Sequence, residues 1–363
     1  MLTTTAPSLA YNYVLEHTKP GQIELITDNF IDDWVRQAIS GGRCFVQKSI
    51  FSSKTLIVDE SFIGASGSKT LEPKVPVNNW NPLDSKEIDG NEDYLVDIDI
   101  TSLYPAAMNK FLYPTGKPHW EQDLEKIRMQ LNEQTMTILG IIECVIDFPN
   151  KDIVTPLLAN RNCIPLMYTL KDNQYHIKTT IDILEAVKYN GAIVREVYRA
   201  LVWSSSDYIF RDSIQVLWDL RKKAKQENNR ALDIAIKTIC NSSYGKTIQK
   251  KVESKLVVLD NNDIIDELYL KGRIVGDYTL PNQEQCLIEK KISNFEKAIK
   301  HPSHLGVFIL AYSKVIMNDL IFHMHGFDHW DNAFYYTDTD SLIIHASLLK
   351  MIPSELLYIK NKT

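Results

Sequence analysis

The stretch YYTDTDS, Tyr335–Ser341, sets Asp338 and Asp340 two positions apart, with aromatics and Thr337 before them and the apolar run Leu342-Ile343-Ile344 after. Residues two apart share a strand face, but polar pairs interrupt the apolar run here, which puts the aspartates at a hairpin tip. Aspartate in a hairpin turn usually only hydrogen-bonds its own backbone, and for Asp-x-Asp alone that bland reading is favoured. A second acidic strand shifts the balance. In LVDIDITSLYP, Asp97 and Asp99 also precede a turn. Two strand ends that each offer a carboxylate can converge on hard cations with oxygen ligands. Mg2+ needs few protein carboxylates when phosphate oxygens and water complete its octahedron. Two such ions clamp the attacking and leaving oxygens of an in-line phosphoryl displacement.

A third segment carries matching chemistry. Lys237, Asn241 and Tyr244 in KTICNSSYG fall at i, i+4 and i+7, on one helix face. A lysine, an amide and a phenol on one stripe are odd for a core face and suit a triphosphate, a sugar and a base. Arg221 and Lys225 lie earlier on the same basic stretch, within reach of outer phosphates. From Arg221 to Lys251 there are nine basic and two acidic residues, on a chain whose net charge is −6. The bland alternative is a solvated helix face with a buried tyrosine.

The elements that must position these residues can be outlined. The chain has 363 residues, 44% hydrophobic and 24% charged, the composition of an ordinary globular protein with room for two or three packed units. The first ninety residues are mixed, with a turn at Ser40–Arg43 and a Pro/Asn/Asp-rich connector before Tyr94. Strands are expected over 94–100 and 138–148, and a helix over 181–189 closed by Asn190-Gly191. A helical hairpin is expected over 208–244, divided at Gln226–Asn229. Short strands in LVVLD and RIVGDYTL precede a helix over 305–324, and two strands flank the turn of YTDTDS. The apolar stretch Leu305–Phe327 is interrupted by Lys314 and Asp319, which reads as a buried helix and not a membrane span. No secretory signal opens the sequence, and five scattered cysteines without a CxxC pair fit reduced thiols. His323, His325 and His329 read as a solvated helix end, and RKKAK as part of the phosphate-facing strip.

Taken in order, DITSLYP (Asp99–Pro105), KTICNSSYG (Lys237–Gly245) and YTDTDS (Tyr336–Ser341) resemble motifs A, B and C of family B DNA polymerases. The SLYPAAM continuation, HLGVFILAYSK, and the long segments between motifs are similar to the protein-primed branch of phages, adenoviruses and linear plasmids. The resemblance implies an α+β fold, with a palm on a small antiparallel sheet, helical fingers and two insertions. It divides the chain into a remnant and connector (1–90), palm (91–125), first insertion (126–205), fingers (206–249), second insertion (250–303), palm (304–348) and tail (349–363). It implies that Asp99, Asp338 and the carbonyl of Ile100 hold two Mg2+, replaceable by Mn2+, with Asp340 supporting them. Tyr104 would lie under the sugar and exclude a 2′-hydroxyl. Lys237, Lys225 and Arg221 would bind the triphosphate, and Asn241, Tyr244 and Gly245 would line the base-pair pocket. Gly41, Gly42, Arg43 and Thr337 would contact DNA. The implied partners are template and primer DNA, dNTPs and a terminal protein whose hydroxyl primes synthesis, with no membrane.

The sequence also departs from the family. Fewer than one hundred residues precede motif A, with no Asp-x-Glu strand and no Tyr-x-x-x-Asp in its expected context, so no proofreading is expected of this chain. Ile39 stands where the family's Tyr-x-Gly-Gly loop begins. No Lys-x-Tyr element follows motif C, and the thumb is expected to be missing. The competing expectation is a catalytically weak or inactive fragment that only binds DNA or a terminal protein.

Overall fold

A computed structural model describes residues 6–46, 95–151, 155–160, 167–168, 170–249, 254–259, 262–271, 274–279, 286–291, 301–325 and 334–352. The connector up to Tyr94 and the loop holding His329 lie outside these residues. The elements begin with helices α1 (Ala6–Glu16) and α2 (Asn29–Arg36), strands β1 (Cys44–Val46) and β2 (Leu95–Asp99), and helix α3 (Leu103–Lys110). Strands β3 (Tyr113–Thr115) and β4 (His119–Trp120), helix α4 (Leu124–Asn132), and strands β5 (Leu139–Asp147), β6 (Ala159–Asn160), β7 (Met167–Tyr168) and β8 (Gln174–Thr179) follow. Then come α5 (Thr180–Asn190), β9 (Ile193–Trp203), β10 (Ser205–Asp207), α6 (Arg211–Gln226) and α7 (Arg230–Thr247). The last are β11 (Ser254–Leu259), α8 (Asn262–Leu270), β12 (Ile274–Thr279), β13 (Cys286–Lys291), α9 (Ser303–His325), β14 (Phe334–Asp338) and β15 (Ser341–His345).

All strand pairs are antiparallel among the described residues, and with the packed helices they make the expected α+β fold. One four-stranded sheet runs β1-β14-β15-β2, and another β4-β9-β5-β8. A three-stranded sheet, β11-β13-β12, forms in the segment expected to be the second insertion.

Local chemistry explains the element ends. Thr179 caps α5 by accepting from Asp182 N–H, and Gly191 closes it at φ +59, a left-handed conformation that costs glycine little. Asn229 caps α7 through Leu232 N–H, which sets the tight link after α6.

Helix α9 is apolar around most of its circumference, the mark of a helix buried on all sides. Its first half packs Leu305, Phe308, Ile309 and Tyr312 into one core cluster, and its second half packs Met317, Leu320, Ile321 and Met324 into another beneath β14 and β15. By length and composition Ser303–Phe322 is apolar enough to cross a membrane, yet 78% of that window is buried within the fold. Lys314, which interrupts the apolar run in sequence, is buried and reaches Asp182 of α5 at 2.6 Å. Gly306 lets α9 touch the end of α7: a Cβ there would lie 2.2 Å from Ile248 Cγ2.

Candidate active site

The sheet β1-β14-β15-β2 sets four residues abreast, because Cys44 pairs with Asp338, Asp338 with Ser341, and Ser341 with Asp99. Residues abreast point to one face, so Asp338 and Asp99 share a face with one strand between them. At the usual strand spacing their backbones stand roughly 10 Å apart. That is the width of two hard cations with metal–oxygen bonds of about 2 Å. Both aspartates are exposed, as the ends of strands should be.

Asp340 lies in the turn between them. Its N–H donates to Asp338 carbonyl at 2.6 Å, and its own carbonyl accepts from Ile100 N–H at 2.8 Å. The first bond closes a three-residue turn centred on Thr339, whose φ of +58 is uncommon for a β-branched residue and costs on the order of 1–3 kcal/mol. Burial raises the pKa of the Asp340 carboxyl, and Asp99 and then Asp338 add to the rise. Asp99 and Asp338 both act on Asp340 here, and carboxylate oxygens are the donors that a hard divalent cation takes. Among the described residues, no group of three His, Cys, Asp or Glu is drawn in to metal-ligand distances. The one-strand gap between Asp99 and Asp338 accounts for that spacing.

Helix α3 starts just after β2 and brings Tyr104 alongside. The Tyr104 and Tyr244 rings stack with centroids 3.9 Å apart and planes at 27°. Burial pushes the Tyr104 hydroxyl above its ordinary range, Tyr244 adds to this, and Asp340 and Asp338 follow. Tyr104 therefore joins the carboxylates to α7. On α7, Lys237, Asn241 and Gly245 are exposed and Tyr244 is half-buried. Nothing stands within 4 Å of where a Gly245 Cβ would be, so the helix surface at Gly245 is open.

The basic residues divide into two kinds. Arg221 Nε donates to Asp233 Oδ1 at 2.7 Å, across the α6–α7 hairpin, with both side chains largely covered. Arg221 holds the Asp233 carboxyl below its usual range, with Lys225 and Lys237 adding to the effect. Lys225 and Lys237 are thus near neighbours of Asp233 with exposed ammonium groups. Arg221 already has a carboxylate partner.

Two residues expected to touch DNA are placed otherwise. Thr337 is 2% exposed, and its hydroxyl donates to Ser341 carbonyl inside the hairpin. The Arg43 side chain is 4% exposed and points into the core, where its guanidinium meets Asn318. Neither is open to a template phosphate, because β1 pairs with β14 and carries the loop inward. Gly41 stays exposed with open space around it, while Gly42 packs directly on Thr339. The buried partners of Arg43 and Lys314, Asn318 (itself bonded to Glu185) and Asp182, carry no sequence signal. Each lies more than one hundred residues from its partner or on an otherwise ordinary helix face.

Comparison with known proteins gives the family and a matching fold. Residues 86–325 match the family described as DNA polymerase type B, organellar and viral. The matched span ends before the hairpin of Asp338 and Asp340. A DNA polymerase of Kluyveromyces lactis is 30% identical over 267 residues, 70% of this chain and 24% of that protein. An uncharacterised protein, 075R, of Invertebrate iridescent virus 3 is 32% identical over 113 residues, 31% of this chain and 67% of that one. Among solved structures, Phi29 DNA polymerase superposes over 94% of this chain and 48% of its own, with a TM-score of 0.55 and 16% identity. Its ternary complex with primer-template DNA and incoming nucleotide gives a TM-score of 0.55 at 15% identity, over 94% of this chain and 49% of that one. The chain spans about half the length of the Phi29 polymerase structures and about a quarter of the yeast enzyme.

Proposed function

This chain belongs to the organellar and viral type B DNA polymerases, and on that premise we propose that it carries the palm and fingers of a template-directed DNA polymerase. The observation that supports this most is the row in which Asp338 and Asp99 share one sheet face, with the Tyr104–Tyr244 stack beside them.

In this reading Asp99, Asp338 and the carbonyl of Ile100 would hold a pair of Mg2+ ions, for which Mn2+ could substitute. Bound there, the ions would supply charge neutralisation for a phosphoryl transfer in which a primer hydroxyl attacks the α-phosphate of a dNTP and pyrophosphate leaves. Asp340 supports their ligands from the turn. Lys237 and Lys225 bind the triphosphate, and Arg221 fixes the α6–α7 hairpin that presents them. Tyr104 lies against the sugar, and Asn241, Tyr244 and Gly245 bound the nascent base pair. Positioning and charge neutralisation carry most of the rate.

Protein priming is the finer part of the proposal. A Ser, Thr or Tyr hydroxyl of a separate terminal protein would replace the first primer 3′-OH, and the segments 126–205 and 250–303 would be the insertions that hold that protein and the DNA. Metal-dependent binding of a fluorescent dNTP tests the site without needing DNA. Binding that requires Mg2+ or Mn2+ and is lost in Asp99→Asn and Asp338→Asn supports the reading. A folded wild-type chain without metal-dependent dNTP binding overturns it.

A further inference from the structure

The loop Gly41–Arg43 lies against the carboxylate turn on one side and the core on the other. Thr339 N–H donates to the Arg43 carbonyl at 2.8 Å, just beyond the ladder in which Cys44 faces Asp338. A Cβ on Gly42 would sit 2.7 Å from Thr339 Cα and 2.7 Å from its Cγ2, so the two backbones are in contact with no room for a side chain. The Arg43 side chain runs away from the turn. Its Nη2 donates to Asn318 Oδ1 of α9 at 2.5 Å, and Asn318 Nδ2 donates in turn to Glu185 Oε2 of α5 at 2.6 Å. The Lys314–Asp182 pair ties the same two helices together. A loop arginine ordinarily keeps its charge in water, and burying one is costly unless something fixes it there.

We infer that Arg43 is a positioning residue: through its carbonyl and its Asn318–Glu185 anchor it fixes the Thr339–Asp340 turn, and with it Asp338 and Asp340, to the α9–α5 core. This rests on the reading of those aspartates as a metal site. Two facts favour it over a DNA contact. The guanidinium is buried and aimed at α9, and the contact with the turn is made by backbone atoms, which hold position whatever the template sequence. The strained Thr339 needs such a hold, because a left-handed β-branched residue persists only where its surroundings over-determine it. Burial brings the Arg43 guanidinium down to about 10, and Tyr168, Glu185 and Asp182 oppose that fall, so it stays cationic at neutral pH.

The test compares the full chain with Arg43→Gln, Arg43→Lys and Gly42→Ala. The last moves the turn without removing a charge, so it decides the matter if Arg43→Gln does not fold. Hydrogen exchange across 336–342, Mn2+ affinity by electron paramagnetic resonance with dNTP present, and primer-template affinity by anisotropy are read on each. Arg43→Gln and Gly42→Ala should speed exchange at Thr339 about tenfold or more and weaken Mn2+ binding about fivefold, and Arg43→Gln should leave DNA affinity within about twofold of wild type. Arg43→Lys should fall between wild type and Arg43→Gln. Unchanged exchange in both Arg43→Gln and Gly42→Ala overturns the inference, as does lost DNA affinity with unchanged exchange. A wild type that binds no Mn2+ removes the metal-site reading, and the exchange result then decides the positioning role alone.

Discussion

Tyr104 and Tyr244 stack face to face with ring centroids 3.9 Å apart, although 140 residues separate them. One stands on the helix that follows the first carboxylate strand and the other on the basic helical hairpin. If the sugar of a dNTP rests on Tyr104, trimming that ring opens space where a 2′-hydroxyl would lie. Tyr104→Val should raise incorporation of ribonucleotides relative to deoxyribonucleotides by about tenfold or more. Competition between rNTP and dNTP in single-nucleotide extension measures the ratio, and an unchanged ratio removes Tyr104 from sugar selection.

The hairpin of Asp338 and Asp340, the strand of Asp99 and the division of α6 from α7 were legible in the sequence, because each is a local signal. Alternation marks the strands, polar pairs mark the turn, and the Gln226–Asn229 cluster marks the helix break. The edge strand Cys44–Val46 was not legible. It pairs with β14 across nearly three hundred residues, and three residues are too few to show a period. The same gap hid the burial of Arg43, which a sequence reader places on a surface loop by its Gly-Gly neighbours. The partner of Lys314 was not legible either, because the sequence shows a charge in a buried apolar helix but only the fold brings α5 and Asp182 against it.

The two kinds of basic residue on α6 and α7 predict two kinds of phenotype. Lys237→Ala should raise KM for dNTP about tenfold and leave the melting temperature unchanged. Arg221→Ala should instead lower stability by about 1.5–3 kcal/mol, since it removes a charge-assisted hydrogen bond to Asp233 whose two side chains are largely covered. Steady-state kinetics and thermal unfolding on both variants separate the roles. Equal KM effects with equal melting temperatures would put Arg221 on the triphosphate as well.

The Lys314–Asp182 pair is buried on both sides. Removing Lys314 leaves the buried Asp182 with only Lys178 and the Thr179 hydroxyl to offset its charge, so Lys314→Met should cost about 3 kcal/mol in denaturant unfolding. The double variant Lys314→Met/Asp182→Leu should recover much of that loss. A double variant as unstable as the single one would mean that the pair carries more than its own charges.

Two buried histidines set an acid limit. Burial lowers His304 to about 4, and burial with Lys178 nearby lowers His176 to about 3, both from an ordinary 6.5. Both are held neutral in the fold and take up protons when it opens. Stability from each is therefore complete above 6.5 and falls as pH drops toward the folded value. Between pH 7 and pH 5 each should cost about 2 kcal/mol. His304→Gln should remove about that much of the pH dependence of unfolding, and an unchanged slope would show that His304 is not held neutral.

Primer extension by the purified chain tests the central claim most directly. The assay takes a primed template, dNTPs and Mg2+ or Mn2+, with Asp338→Ala/Asp340→Ala as control. The row of carboxylates predicts metal-dependent extension by the wild type and none by the folded double variant. Extension at an equal rate by both would contradict the assignment of this hairpin as the catalytic centre.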